Sequence, residues 1–164
     1  MSNRRCPECG APWETDEKCV DCFHALLAFE NERPAAFGAV HHLTVACYYL
    51  QHPTGYTEEV LAMWLALIAD ALDGRATVRE LRARSGRRFG GSRRVRDQGA
   101  KVPAWWPRQW PMTVHDVLRP SETLPSVEVY IDRGRRWAAE TRKQLDQASG
   151  VEEARDPSWL RSSG

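Results

Sequence analysis

Cys6-Pro7-Glu8-Cys9-Gly10 and Cys19-Val20-Asp21-Cys22 are two Cys-x2-Cys pairs with nine residues between them, and their reading decides how the rest of the chain is arranged. Two residues between cysteines let both sulfurs of a tight turn face one ion, and Gly10 after the second thiol suits a backbone of positive φ. Four thiolates complete a closed tetrahedron of the structural kind, with no open position for substrate. The expectation is a zinc knuckle held by Cys6, Cys9, Cys19 and Cys22. His24, two residues beyond Cys22, is an alternative fourth ligand in a Cys3His set. Two disulfides are the plainer reading of the same spacing. Met1 to Arg5 is short, charged and without an apolar run, so it does not read as a signal peptide. A reducing, cytoplasmic setting is therefore expected, and there such spacing points to metal. Cys47 stands alone in an apolar run and reads as a small buried hydrophobe.

With 164 residues, 42% of them hydrophobic, the chain has enough material for one domain with a sizeable core and a small appendage. A formal net charge of +1 excludes a global pull toward nucleic acid or membrane. The longest apolar run, Val60 to Leu72, contains Asp70 and is too short to span a bilayer. No Gly-x4-Gly-Lys-Ser/Thr string occurs, which excludes a P-loop nucleotide site. The charge is nevertheless uneven. Residues 79 to 101 carry nine basic side chains against Glu80 and Asp97, a net of +7 that leaves −6 for the remainder. Gly86, Gly90, Gly91 and Gly99 make residues 84–101 read as a flexible loop. Arg87, Arg88, Arg93 and Arg94 in it are candidate phosphate contacts for a nucleic-acid partner; a solvated loop balancing an acidic body is the alternative.

Helical spacing dominates elsewhere. A first helix runs from about Cys19 to Glu32, with its first turn inside the metal site, and Pro34 to Gly38 read as a turn. The second, Ala39 to Gln51, is ended by Pro53 and carries two stripes. Val40, Leu43, Cys47 and Leu50 form a core face, while His41, Val45, Tyr48 and His52 line up on another. His41 and His52 lie roughly 16 Å apart along the axis at about 1.5 Å per residue, so they cannot share one ion. They and Tyr48 are candidate catalytic groups around a pocket, with Gln51 orienting a ligand; side chains at the margin of a core are the alternative. Thr57-Glu58-Glu59 starts a third helix that reads as the central one and stops at Gly74. Thr77 and Glu80 box the start of a fourth ending near Gly86. Val102 to Met112, with Trp105, Trp106 and Trp110 among prolines, reads as an extended strap, Trp105 and Trp106 being a candidate aromatic wall. A short helix capped by Thr113 and Asp116 and a long one over Val127 to Ala148 complete the series.

The strings Phe23-His24-Ala25-Leu26-Leu27-Ala28-Phe29-Glu30 and Gly38-Ala39-Val40-His41-His42-Leu43-Thr44-Val45-Ala46-Cys47-Tyr48-Tyr49-Leu50-Gln51-His52-Pro53 resemble an uncharacterised bacterial family of unknown function, common in actinobacteria. Its members open with a Cys-Pro-x-Cys-Gly knuckle and carry a Val-His-x-Leu-Thr-Val…Tyr-x-Leu-Gln-His-Pro helix. A weaker likeness continues through Thr113-Val114-His115-Asp116-Val117 and Trp137. The resemblance implies that His41, Tyr48, Gln51 and His52 belong to a shared motif. It also implies that the place of Cys22 often holds another residue while a histidine like His24 is kept.

The fold expected is mostly α: four or five helices in a bundle, a zinc knuckle over residues 1–24, a helical domain over 25–150 and a loose tail over 151–164. A tiny hairpin inside the knuckle is the only strand signal. The function expected is that of a zinc-stabilised binding or regulatory module for a protein or nucleic-acid partner, with no membrane role. A small enzyme or small-molecule sensor using His41, Tyr48 and His52 is the alternative.

Overall fold

The computed structural model describes residues 4–13, 17–89 and 99–155. Among them are seven helices and no strand: α1 Cys19–Glu32, α2 Pro34–Phe37, α3 His41–Gln51, α4 Glu58–Leu72, α5 Val78–Phe89, α6 Val114–Val117 and α7 Val127–Arg155. One isolated antiparallel bridge joins Arg5 to Pro12. No helix among the described residues is long and apolar enough to cross a membrane.

Local chemistry accounts for most of the boundaries. The Lys18 N–H donates to Asp21 Oδ2 at 2.8 Å and closes the start of α1. Thr57 Oγ1 accepts from Val60 N–H at the start of α4, and Gly74 ends that helix at φ 67°. At α5 the Thr77 N–H donates to Glu80 Oε2 at 2.7 Å. Three expectations change. The turn at Pro34 is a full helical turn, because proline at the first helical position supplies the right φ and Phe37 is drawn into the core. Gly86 does not end α5, and Gly150 does not end α7. A helical glycine costs about 1 kcal/mol against alanine, too little by itself to end a helix.

The enclosed element is α3, and the expectation that α4 is central gives way. Every residue of α3 is buried or partly buried. The helix packs against both α4 and α7, which also meet each other. Leu43, Cys47 and Leu50 of α3, Ile68 of α4, and Tyr130, Trp137 and Leu145 of α7 are almost completely buried, each large apolar one worth roughly 1.5–3 kcal/mol. Gly134 lets α7 cross α3 closely, since a Cβ there would collide with Val40 Cγ2. Residues 102–112 have no helix or strand; Trp106 and Trp110 are buried. Trp106 Nε1 donates to the Leu50 carbonyl at 2.9 Å, which lays this segment along the C-terminal end of α3.

Candidate metal centre

The C-terminal end of α3 points at the N-terminal cysteines. His52 caps the helix and Pro53 prevents its continuation. Cys6 and Cys9 sit on a turn closed by Gly10 N–H to the Cys6 carbonyl at 3.0 Å. Gly10 takes φ 74° and lies against the Arg108 carbonyl, where a Cβ would approach to 3.0 Å. Cys19 opens α1, where the positive end of the helix favours a thiolate. The Glu8 carboxylate accepts the Thr54 N–H at 2.9 Å and pins the turn to the chain just past His52.

The donors that come together are the sulfurs of Cys6, Cys9 and Cys19 and a ring nitrogen of His52, all within 4.8 Å of one another and all buried. Cys9 and Cys19 sulfurs are 3.6 Å apart, and Cys6 Sγ is 3.6 Å from His52 Nε2. Around a tetrahedral zinc, neighbouring sulfurs fall about 3.8 Å apart and sulfur to nitrogen about 3.5 Å. The donors therefore fit a metal in number and type, and these two separations match a tetrahedral shell. His52 Nδ1 donates to the Tyr48 carbonyl at 2.9 Å, which leaves Nε2 as the lone-pair nitrogen facing the thiols.

Electrostatics favours a cation among them. Hydrogen bonds with Cys6 and Cys9, then burial, push Cys19 far above the ordinary thiol range. Contacts from Cys19 and Cys9 draw Cys6 down. Burial pulls His52 down, but the contacts with Cys6 and Cys9 outweigh it and hold the imidazole at about 10. A divalent ion permits three thiolates and a neutral imidazole at once, with release of their protons.

The residues expected from sequence separate into distinct places. The fourth donor of the group is His52; Cys22 and His24 stand outside it. Cys22 is buried one turn along α1, its sulfur 3.8 Å from both ring nitrogens of His115, and burial with help from Glu17 pushes its thiol up to about 11. His24 is exposed. All five cysteines are free thiols, and Cys47 is fully buried as expected. Tyr48 is stacked between Phe23, centroids 3.8 Å apart, and His52 at 4.3 Å. His41 lies elsewhere, with Nδ1 2.6 Å from Glu30 Oε2. The three candidate catalytic groups thus do not share one cavity. Gln51 is buried and donates to the Met112 carbonyl and to Thr141 Oγ1. Trp105 is half-buried beside Trp106, centroids 5.3 Å apart. Arg87 and Arg88 fall in the last turns of α5, and Arg93 and Arg94 lie outside the described residues.

His115 is the residue sequence reasoning missed. Its Nε2 lies 3.6 Å from Cys19 Sγ; burial, then Arg119, lowers its pKa and keeps it neutral. With the proton on Nε2 it would donate to Cys19 Sγ, and so would steady that thiolate if a metal were bound. The only prior signal was its place in the Thr113–Val117 string.

A model of the family of unknown function DUF5946 matches residues 4–146, a span that contains every donor just described. The chain belongs to the DUF5946 family. No curated protein and no solved structure matches it. The DUF5946 match runs from the knuckle through most of α7, so the metal-donor group and the helical body fall within one family unit.

Proposed function

We propose that this DUF5946 chain is a zinc-clamped helical binding or regulatory module of the bacterial cytoplasm, with its metal in a structural role. The observation that carries the reading is the buried Cys6, Cys9, Cys19 and His52 group, whose donor atoms lie within 4.8 Å of one another. Four protein donors fill a zinc shell and leave no place for water or substrate. Zinc suits three thiolates and an imidazole, and a reducing compartment keeps those thiols available. In this reading α1, α3, α4, α5 and α7 form the bundle and residues 102–112 strap one side. The Arg87, Arg88, Arg93 and Arg94 stretch meets an anionic partner, a proposal that rests on charge alone.

Elemental analysis of protein purified without added metal tests the centre. The expected result is one zinc per chain, with loss of the ion under chelation accompanied by a lower thermal midpoint. A reduced protein that is folded and metal-free would overturn the reading, as would a redox metal in place of zinc. For the arginine stretch, nucleic-acid binding at low salt that falls steeply as salt is added is the expected outcome; no binding at low salt removes that partner.

A further inference from the structure

We propose that the cleft between α1, α2, α3 and α5 binds a small organic anion, its charged head held by His41 and Arg82 and its apolar body lying on Leu27, Pro34 and Phe37. The proposal rests on the binding-module reading and names a ligand class for it, at a place that uses none of the metal donors. The cleft has a volume of about 510 Å3, the size of a pocket for a small molecule.

Its chemistry follows from how Glu30 is used. Glu30 is 3% exposed, and a buried carboxylate has to be satisfied by donors. Oε1 accepts from Tyr130 OH at 2.6 Å and from Thr44 Oγ1 at 2.8 Å. Oε2 accepts from the Nδ1–H of His41 at 2.6 Å. Burial, then the Glu30 charge, pushes the Tyr130 hydroxyl far up, so it stays a donor. The carboxylate is therefore committed inward, and what the cleft presents to solvent is the imidazole of His41, 43% exposed at its side chain. With Nδ1 donating to Glu30, Nε2 is the nitrogen that faces a ligand, and it holds an anion only as a donor, with a proton on both ring nitrogens. Glu30 acts as a positioning residue.

Arg82 supplies the fixed positive charge. Arg75, Arg84 and Arg142 are paired with Asp70 or Asp73, whereas Arg82 makes no ion pair among the described residues. Its guanidinium lies over Gly38, where a Cβ would collide with it. It therefore stands in the wall shared by this cleft and an adjoining one of about 460 Å3. A planar guanidinium with fork geometry favours carboxylate or phosphate.

The test is calorimetric titration of the full, metal-loaded chain with benzoate, phenyl phosphate and, as the neutral shape control, benzyl alcohol. At least one anion is expected to bind, with benzyl alcohol about tenfold weaker or more. Tighter phenyl phosphate assigns a phosphoryl head; tighter benzoate assigns a carboxylate. Arg82→Ala and His41→Gln should each weaken the anion about tenfold while leaving the thermal midpoint and zinc content near those of the parent. The imidazole nitrogen shifts of His41 should move on anion addition to those of a ring that carries a proton on both nitrogens. Failure of both anions to bind, equal binding of benzyl alcohol, or anion affinity unchanged in both variants would overturn the proposal. Because zinc is measured in the same samples, a zinc-loaded chain that binds no anion removes the cleft and leaves the metal reading standing.

Discussion

At the scale of single residues, the centre separates donors from their neighbours. His52→Ala is expected to lose zinc and lower the thermal midpoint on the order of 10 °C, and His52→Cys to recover the ion through a fourth thiolate. Cys22→Ala should keep one zinc per chain, because its sulfur lies with His115 rather than in the donor group; loss of zinc there would restore the four-cysteine knuckle. His115→Ala removes the contact to Cys19 and should weaken zinc about 10- to 100-fold in chelator competition. His42 gives a prediction of another kind. Burial first, then His41 and Arg82, lowers its pKa, and its Nε2 is buried with no hydrogen-bond partner among the described residues. The unfolded chain takes up this proton near pH 6.5, before the folded one does. Stability present above that pH is therefore lost as the pH falls below it, by at most about 1.4 kcal/mol per pH unit. His42→Gln should flatten the slope of the thermal midpoint between pH 7 and 5.5; identical slopes would refute the assignment.

Among elements, α3 carries two duties, one along its length and one at its C-terminal end. One face builds the core with α4 and α7; its last residues deliver Gln51 to Thr141 and His52 to the thiols. The close crossing with α7 depends on Gly134 lying against Val40. Gly134→Ala forces the helices apart, and a loss of about 1–3 kcal/mol is expected in denaturant unfolding. Because the added methyl acts through the crossing, Val40→Ala in the same chain should recover part of that loss; simple additivity of the two changes would show that they do not meet.

On the scale of the molecule, the centre joins segments that local structure alone would leave independent: the turn of Cys6 and Cys9, the start of α1 and the end of α3. Metal removal should therefore act as one cooperative event over these pieces. In hydrogen exchange after chelation, protection is expected to fall together in residues 4–13, the first turn of α1 and residues 48–54, while Tyr130, Trp137 and Leu145 on α7 keep theirs. Loss confined to residues 4–13 would mean that the ion steadies a loop and not the bundle.

Most helices were legible in the chain because their signals are local: the Thr57 cap, the Thr77 and Glu80 box, the Thr113 and Asp116 box, Pro53 and Gly74. Three of the four clustered candidate donors were legible for the same reason, since Cys-x2-Cys spacing is a property of one turn. The fourth was not, because His52 reaches Cys6 across 46 residues, and only the packing of α3 decides that distance. His41, Tyr48 and His52 share a helical stripe, yet the stripe runs past three different surroundings: the Glu30 carboxylate, the Phe23 ring and the thiols. Periodicity fixes the direction in which a side chain points along its helix. What stands opposite is set by which helices meet, and that is a matter of the whole fold.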